Sequence, residues 1–128
     1  MSLPPFSAAL AEFLAERHLC TLVTQRADSS PHAVPVGFTF AAGTVRVITS
    51  SASVKARNAR RGGRAAVTQI DGARWVTLEG PVRVVDDAVV VEAAVAAYAR
   101  RYRQPRERDD RVVIEIEVDR MMCNSRLR

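Results

Sequence analysis

The chain has 128 residues and a mass of 14.0 kDa, the size of one domain built around one hydrophobic core. Apolar residues at 48% and charged residues at 26% exclude a disordered chain, and no apolar run approaches the roughly 18 residues needed to span a bilayer. The net charge of +5 rests on 19 basic residues, 18 of them Arg with Lys55 as the single lysine, so the expected partner is an anion.

Met1-Ser2-Leu3-Pro4-Pro5 has no basic stretch, and the apolar residues after it are interrupted by Glu12 and Glu16. No secretory signal is expected, hence a cytoplasmic location. Ser7 can cap a first helix whose Phe6, Leu10, Phe13 and Leu14 share one face. His18 to Arg26 reads as a strand, Asp28-Ser29-Ser30-Pro31 as a turn, and His32 to Phe40 as a second strand. Pro35 lacks a ladder donor, which puts that strand at an edge or bulge. Ala41-Ala42-Gly43 connects to a third strand, Thr44 to Ser50. Ser50, Ser51 and Ser53 offer caps for a short helix through about Arg61, ended by Gly62-Gly63.

Arg64 to Ile70 is the fourth strand and Ala73 to Val85 the fifth, joined by Asp71-Gly72, with a bend expected at Gly80-Pro81. Asp86 or Asp87 caps the longest helix, which runs to about Tyr102. Arg106 to Arg111 is a charged loop. Arg111 to Asp119 alternates, with Val112, Ile114, Ile116 and Val118 inward and Glu115, Glu117 and Asp119 outward; a short tail follows. The sum is one domain over residues 1–128, mainly β with about six strands and three helices. Hairpin-length connections point to a small antiparallel barrel with a crossing helix rather than a doubly wound sheet.

From Ser29 to Ile70 there is no Asp or Glu, yet Arg46, Lys55, Arg57, Arg60, Arg61 and Arg64 all lie there. Two readings fit its Ser50–Arg64 part. One is a phosphate-class anion site, with hydroxyls and Lys55 at the start of a helix; the other is a capped surface helix with a solvated basic face. Nucleic acid is a weaker third partner, because no aromatic residue lies in the basic helix to stack on bases. Cys20, Cys123, His18 and His32 lack zinc spacing, so no metal is expected. Cys20 reads as a small buried hydrophobe and His18 as structural. Trp75 reads as core, or as the wall of a flat cofactor. No complete GxGxxG or P-loop pattern is present, and no Ser-His-Asp spacing or paired-carboxylate signature stands out.

Several motifs occur together and in order: Glu16-Arg17-His18-Leu19, Arg26-Ala27-Asp28 with Ser30-Pro31-His32, Val36-Gly37-Phe38-Thr39-Phe40, Lys55-Ala56 with Asn58, Asp71-Gly72-Ala73-Arg74-Trp75, Leu78-Glu79-Gly80, and Arg101-Tyr102-Arg103 with Pro105. In these the chain resembles the split β-barrel flavin and deazaflavin enzymes of the pyridoxamine 5′-phosphate oxidase-like group. Within the group it is most similar to F420-dependent biliverdin reductases of the actinobacterial type. The resemblance implies a homodimer of six-stranded split barrels with cofactor sites at the subunit interface. It implies a small-molecule substrate, with neither nucleic acid nor membrane as partner. The implied cofactor is coenzyme F420, with FMN as the alternative.

By the same resemblance, His32, Val34, Pro35 and Val36 lie along the deazaflavin ring. Thr49, Ser50 and Lys55 bind near the phosphate, with Asn58 and Arg61 on the same helix. Gln69 and Trp75, the latter from the other subunit, close the pocket, while Arg57, Arg60 and Arg64 hold an acidic tail. The implied reaction is hydride transfer from C5 of the reduced deazaflavin to a conjugated substrate, biliverdin to bilirubin. Arg101 and Arg103 are the candidates to grip its carboxylates, and no side chain is assigned a catalytic step. A binding protein of the same fold without turnover is the remaining alternative.

Overall fold

The computed structural model describes residues 3–128. The chain runs α1 (Ala8–Ala15), β1 (Cys20–Gln25), β2 (Pro31–Val36), β3 (Thr39–Ala41), β4 (Thr44–Ser50), α2 (Val54–Arg60), β5 (Arg64–Asp71), β6 (Arg74–Val85), α3 (Ala88–Arg101), β7 (Arg111–Glu117) and β8 (Arg120–Cys123). A single 3-10 turn, Ser125–Leu127, follows. No helix among the described residues is long and apolar enough to cross a membrane.

The three α-helices start where local chemistry places them. Ser7 accepts from Leu10 N, Ser53 from Ala56 N, and Asp87 from Val89 N and Val90 N; each side chain satisfies a donor that the first turn leaves unpaired. Gly62 and Gly63 both adopt φ of 80° and end α2.

Every strand pairing is antiparallel, in the order β2-β1-β5-β6-β7-β4-β3, with β8 added to β6. The sheet has eight strands rather than six, and its hydrogen bonding is an open path, not a closed ring. The expected second strand divides at Gly37-Phe38 because Phe38 gives its backbone groups to a helix instead of a neighbouring strand. Its N–H donates to the Tyr102 hydroxyl (3.3 Å) and its carbonyl accepts from Arg101 Nη1. The tail supplies the eighth strand, with Met121 opposite Leu78 and Met122 opposite Thr77.

The core is the set of inward positions on these strands. Val34, Leu22, Val67 and Leu78 form one cross-strand row, and Val45, Ile116 and Val82 another. Full burial of one such aliphatic side chain contributes about 1.5–3 kcal/mol. β6 joins the two halves. Residues up to Pro81 pair with β5, and Val82 to Val85 pair with β7. The expected bend at Gly80-Pro81 is this crossing point. A Cβ on Gly80 would stand 1.8 Å from the Glu117 carbonyl oxygen, so only glycine allows the two strands to pass.

Glu115, expected to face solvent, is 4% exposed. It does lie on the side of β7 opposite Ile114 and Ile116. That side is covered, because Arg46 on β4 and Arg83 on β6 stand directly opposite Glu115 and donate to its carboxylate at 2.8 and 2.9 Å. Glu117 and Asp119 are exposed as expected. β2 is a terminal strand of the path, which suits the missing donor of Pro35.

Candidate functional site

The end of β2, the second half of β4, the start of α2, one turn of α3 and the loop before β7 meet around a cavity of about 340 Å³. Pro35, Val36 and Gly37 form one wall, and Val47 to Ser50 the floor. Ser53, the cap of α2, and Lys55 in its first turn line it as well, with Tyr98 from α3, Arg108 from the loop before β7 and Arg111 at the start of β7. Among the described residues three cations and four hydroxyls line the cavity, and no carboxylate does.

Its walls are held by the backbone. Ser51 N donates to Asp110 O at 2.7 Å, tying the β4–α2 turn to the start of β7. Arg60 donates to Ser51 O and Oγ, both at 2.7 Å. Thr49 Oγ1 donates to Ser53 Oγ at 3.1 Å. Tyr98 stacks on Tyr102 with ring centroids 4.8 Å apart. Gly37 lies beneath both rings, where a Cβ would come within 3.0 Å of each. Tyr102 in turn donates to His18 O at 2.8 Å, and burial pushes its phenol up to about 12. This keeps it a neutral clamp on the β2–β3 junction.

Lys55 is half-buried and has neither a hydrogen bond nor an ion pair among the described residues. Partial desolvation pulls its ammonium below the ordinary lysine range. An anion in the cavity would supply the missing counter-charge. Arg108 pairs with Asp110 at 3.1 Å, and Arg111 donates to Arg106 O at 2.7 Å.

Five of the expected cofactor residues, Pro35, Val36, Thr49, Ser50 and Lys55, line this cavity. The others lie elsewhere. His32 is opposite Thr24 near the far end of β2, about 13 Å along the strand from Val36. Its Nδ1 is buried without a partner among the described residues. Val34 packs against the core. Asn58 is buried, donating to Thr24 Oγ1 at 3.1 Å and accepting from Arg61 Nη2 at 2.6 Å. Gln69 is fully buried, with Nε2 donating to Phe13 O at 2.7 Å and Oε1 accepting from Arg101. Trp75 is 37% exposed on the outer face of the sheet, opposite Ile70, and is not a core residue.

Among the tail candidates, Arg57 is exposed, Arg60 is tied to Ser51, and Arg64 pairs with Asp119. Of the substrate candidates, Arg101 uses all three guanidinium nitrogens on Glu16 O, Phe38 O and Gln69 Oε1. Arg103 is exposed and has no polar partner among the described residues. Tyr98, Arg108 and Arg111 were not singled out as site residues by sequence reading. Arg108 and Arg111 looked like loop charges because the pairing of β4 with β7 spans some sixty residues of chain, and no local pattern announces it.

A larger hollow of about 1120 Å³ lies at the α1 end, bordered by Phe6, Phe40, Arg83, Glu117 and Asp119. Its mixed charge gives it no comparable preference for an anion. Glu16, His18 and Asp71 also bring ligand atoms within 4.8 Å of one another. Arg74 already donates to both carboxylates, so a cation occupies that cluster.

The family model described as pyridoxamine 5′-phosphate oxidase matches residues 6–122. The chain is 51% identical over 117 residues to an F420H2-dependent biliverdin reductase of Mycobacterium tuberculosis (strain CDC 1551 / Oshkosh), covering 90% of this chain and 85% of that one. Among solved structures it superposes on a conserved hypothetical protein from Mycobacterium tuberculosis with a TM-score of 0.79 at 23% identity, covering 96% of this chain and 88% of that one. It superposes on an F420 reductase with a TM-score of 0.73 at 22% identity, covering 87% and 94% respectively.

Proposed function

The chain belongs to the pyridoxamine 5′-phosphate oxidase family, and from that premise we propose that it is an F420H2-dependent reductase acting on biliverdin or a similarly conjugated carboxylate-bearing substrate. The observation that carries this reading is the carboxylate-free cavity against β2 in which Lys55 has no counter-charge. The 51% identity to a reductase of this type agrees with it.

The residues fit the cofactor's chemistry. F420 is a polyanion, and the cavity offers Lys55, Arg108 and Arg111 with the hydroxyls of Thr49, Ser50 and Ser53. The buried, unpartnered Nδ1 of His32 on the same strand fits a further polar group of a long ligand. At about 340 Å³ the cavity is at the small end for a ligand site. A tailed cofactor would therefore extend beyond it, and Arg57, exposed on α2, would be a cation available to its acidic tail. When bound, the deazaflavin supplies the hydride. The protein's part is placement: Pro35 and Val36 present an apolar edge, Lys55 and the hydroxyls fix the anionic end, and Arg101 and Tyr102 hold the β2–β3 junction in place. Arg103, with its donors free, grips substrate carboxylates in the bidentate way that a guanidinium allows.

The active unit is a homodimer. The outer face of the sheet supports this, because Thr21, Thr68, Thr77 and Met122 form one cross-strand row. Beside them Ile70 is 64% and Met122 49% exposed. A sheet face that exposes Ile70, Trp75 and Met122 beside a row of threonines is suited to pack on a second copy. The protein works in the cytoplasm.

Thermal unfolding in the presence of F420, with FMN in parallel, tests the cofactor. A ligand bound only to the folded state at 100 times its Kd adds about 2.7 kcal/mol. A rise in melting temperature with F420 alone is expected. A rise with FMN alone keeps the fold and overturns the reductase reading.

A further inference from the structure

We propose that the groove between α3 and β3 is a second ligand site, and that it takes an apolar organic anion, a hydrocarbon body ending in a carboxylate. The groove shares no lining residue with the cofactor cavity, and its assignment does not depend on the cofactor reading.

The groove holds about 600 Å³, an ordinary volume for a small-molecule site. Its α3 wall is the face on which Val90, Ala93 and Ala97 recur at steps of three and four residues. Tyr98, which lines the cofactor cavity, lies on another face of the same helix. Phe40 and Ala41 line the groove from β3. The small alanines keep it open, and hydrocarbon is left in water: Val89 lines the groove and is 76% exposed. An apolar body laid along the groove would cover that surface.

The charge of the groove is of one sign. Arg46, Arg100 and Arg101 line it, and among the described residues no carboxylate does. Arg101 is half-buried, yet every acceptor it meets is neutral: the Glu16 and Phe38 carbonyls and the Gln69 side-chain oxygen. These three bonds fix the guanidinium, leave two of its five N–H donors, and leave its charge unpaired. Arg100 is exposed, with no polar partner among the described residues. Arg46 gives Nε to Glu115 at 2.8 Å, a carboxylate it shares with Arg83 at 2.9 Å. Its two terminal nitrogens have no partner among the described residues. A partly desolvated cation without a counter-charge is costly, and a ligand carboxylate supplies one. The surroundings of these cations set the class of anion. The cofactor cavity adds four hydroxyls to its cations, whereas the groove adds one, Thr39, among hydrocarbon. A phosphate finds few donors there. An apolar carboxylate finds a guanidinium fork for its head and a dry wall for its body.

The test uses the intact protein without added cofactor, titrated calorimetrically with decanoate below its micellar concentration and with decanol as the uncharged counterpart. Decanoate is expected to bind, and decanol to bind about tenfold more weakly, because a charge-assisted contact is missing. Ala93→Phe fills the groove from an exposed position and is expected to abolish decanoate binding. Arg100→Ala is expected to weaken it by about threefold. Neither substitution is expected to change F420 affinity. Equal affinities for decanoate and decanol would remove the carboxylate from the assignment and overturn it. So would a protein that does not bind decanoate, or binding that Ala93→Phe leaves intact. Displacement of decanoate by F420 would put it in the cofactor cavity instead. A fall in solution mass on Ala93→Phe would give the groove to a second copy of the chain and also overturn a small-molecule site. Biliverdin as competitor separates two sources of the same chemistry. Displacement of decanoate assigns the groove to the proposed substrate class, and retention of decanoate assigns it to acyl carboxylates.

Discussion

Lys55 and Arg101 are both cations within family motifs, yet their surroundings give them opposite roles. Arg101 has protein acceptors on all three guanidinium nitrogens and lies over the Phe38 and Tyr102 rings at 4.8 and 5.1 Å. It is a frame residue, and sequence could not separate it from Arg103 because its acceptors come from positions 16, 38 and 69. Lys55 was legible, since a lone lysine in an acid-free segment is a local fact. Removing it takes away a half-buried charge without a partner, so Lys55→Ala is expected to leave the unliganded melting temperature level or slightly higher. F420 affinity should fall about tenfold or more, equivalent to about 1.4 kcal/mol; calorimetric titration checks both. Glu16 is a structural counterpart. Arg74 first, and His18 second, hold its carboxyl down from 4.5 to about 2. A depressed carboxyl contributes its stability above the ordinary value and loses it as pH falls through the folded one. The melting-temperature gap between parent and Glu16→Gln should therefore close between pH 4.5 and about 2. The gap is small at any pH because solvent screens the pair.

At the scale of elements, the helices were readable because their caps are local. Ser7, Ser53 and Asp87 act on N–H groups two or three residues ahead. The strands were readable in number only where alternation ran long. β8 has four residues, too few for a period to show, and the division of β2 from β3 is imposed by Arg101 and Tyr102 some sixty residues away. Glu115 shows the same limit. Alternation assigned its side of β7 correctly, but the guanidiniums that cover it come from two other strands. Gly80 is the element-scale hinge of the fold, where β6 leaves β8 and joins β7. Gly80→Ala drives a methyl into the Glu117 carbonyl and should destabilise by about 3 kcal/mol or more. Urea denaturation would read this as a lower midpoint with an unchanged slope.

For the whole molecule, the eight-stranded sheet serves two surfaces at once. One end gathers the anion cavity. The outer face of β1, β5, β6 and β8 exposes Ile70, Trp75 and Met122. Charge composition pointed to an anion from sequence alone, whereas the proposed dimer came only through resemblance, because an outer face that carries apolar side chains alternates just as an inner one does. Ile70→Arg on that face is expected to shift light-scattering mass from dimer to monomer, and a parent protein already monomeric would contradict the assembly. The central claim is tested most directly by turnover. Purified protein is mixed anaerobically with F420H2 and biliverdin, and the oxidised cofactor and bilirubin are followed together. The account predicts that both form in equal amounts, at a rate proportional to enzyme and lost with Lys55→Ala at subsaturating cofactor. F420H2 that remains reduced in the presence of biliverdin and enzyme, with F420 nonetheless bound, would contradict the biliverdin reductase assignment and leave a cofactor-binding protein in its place.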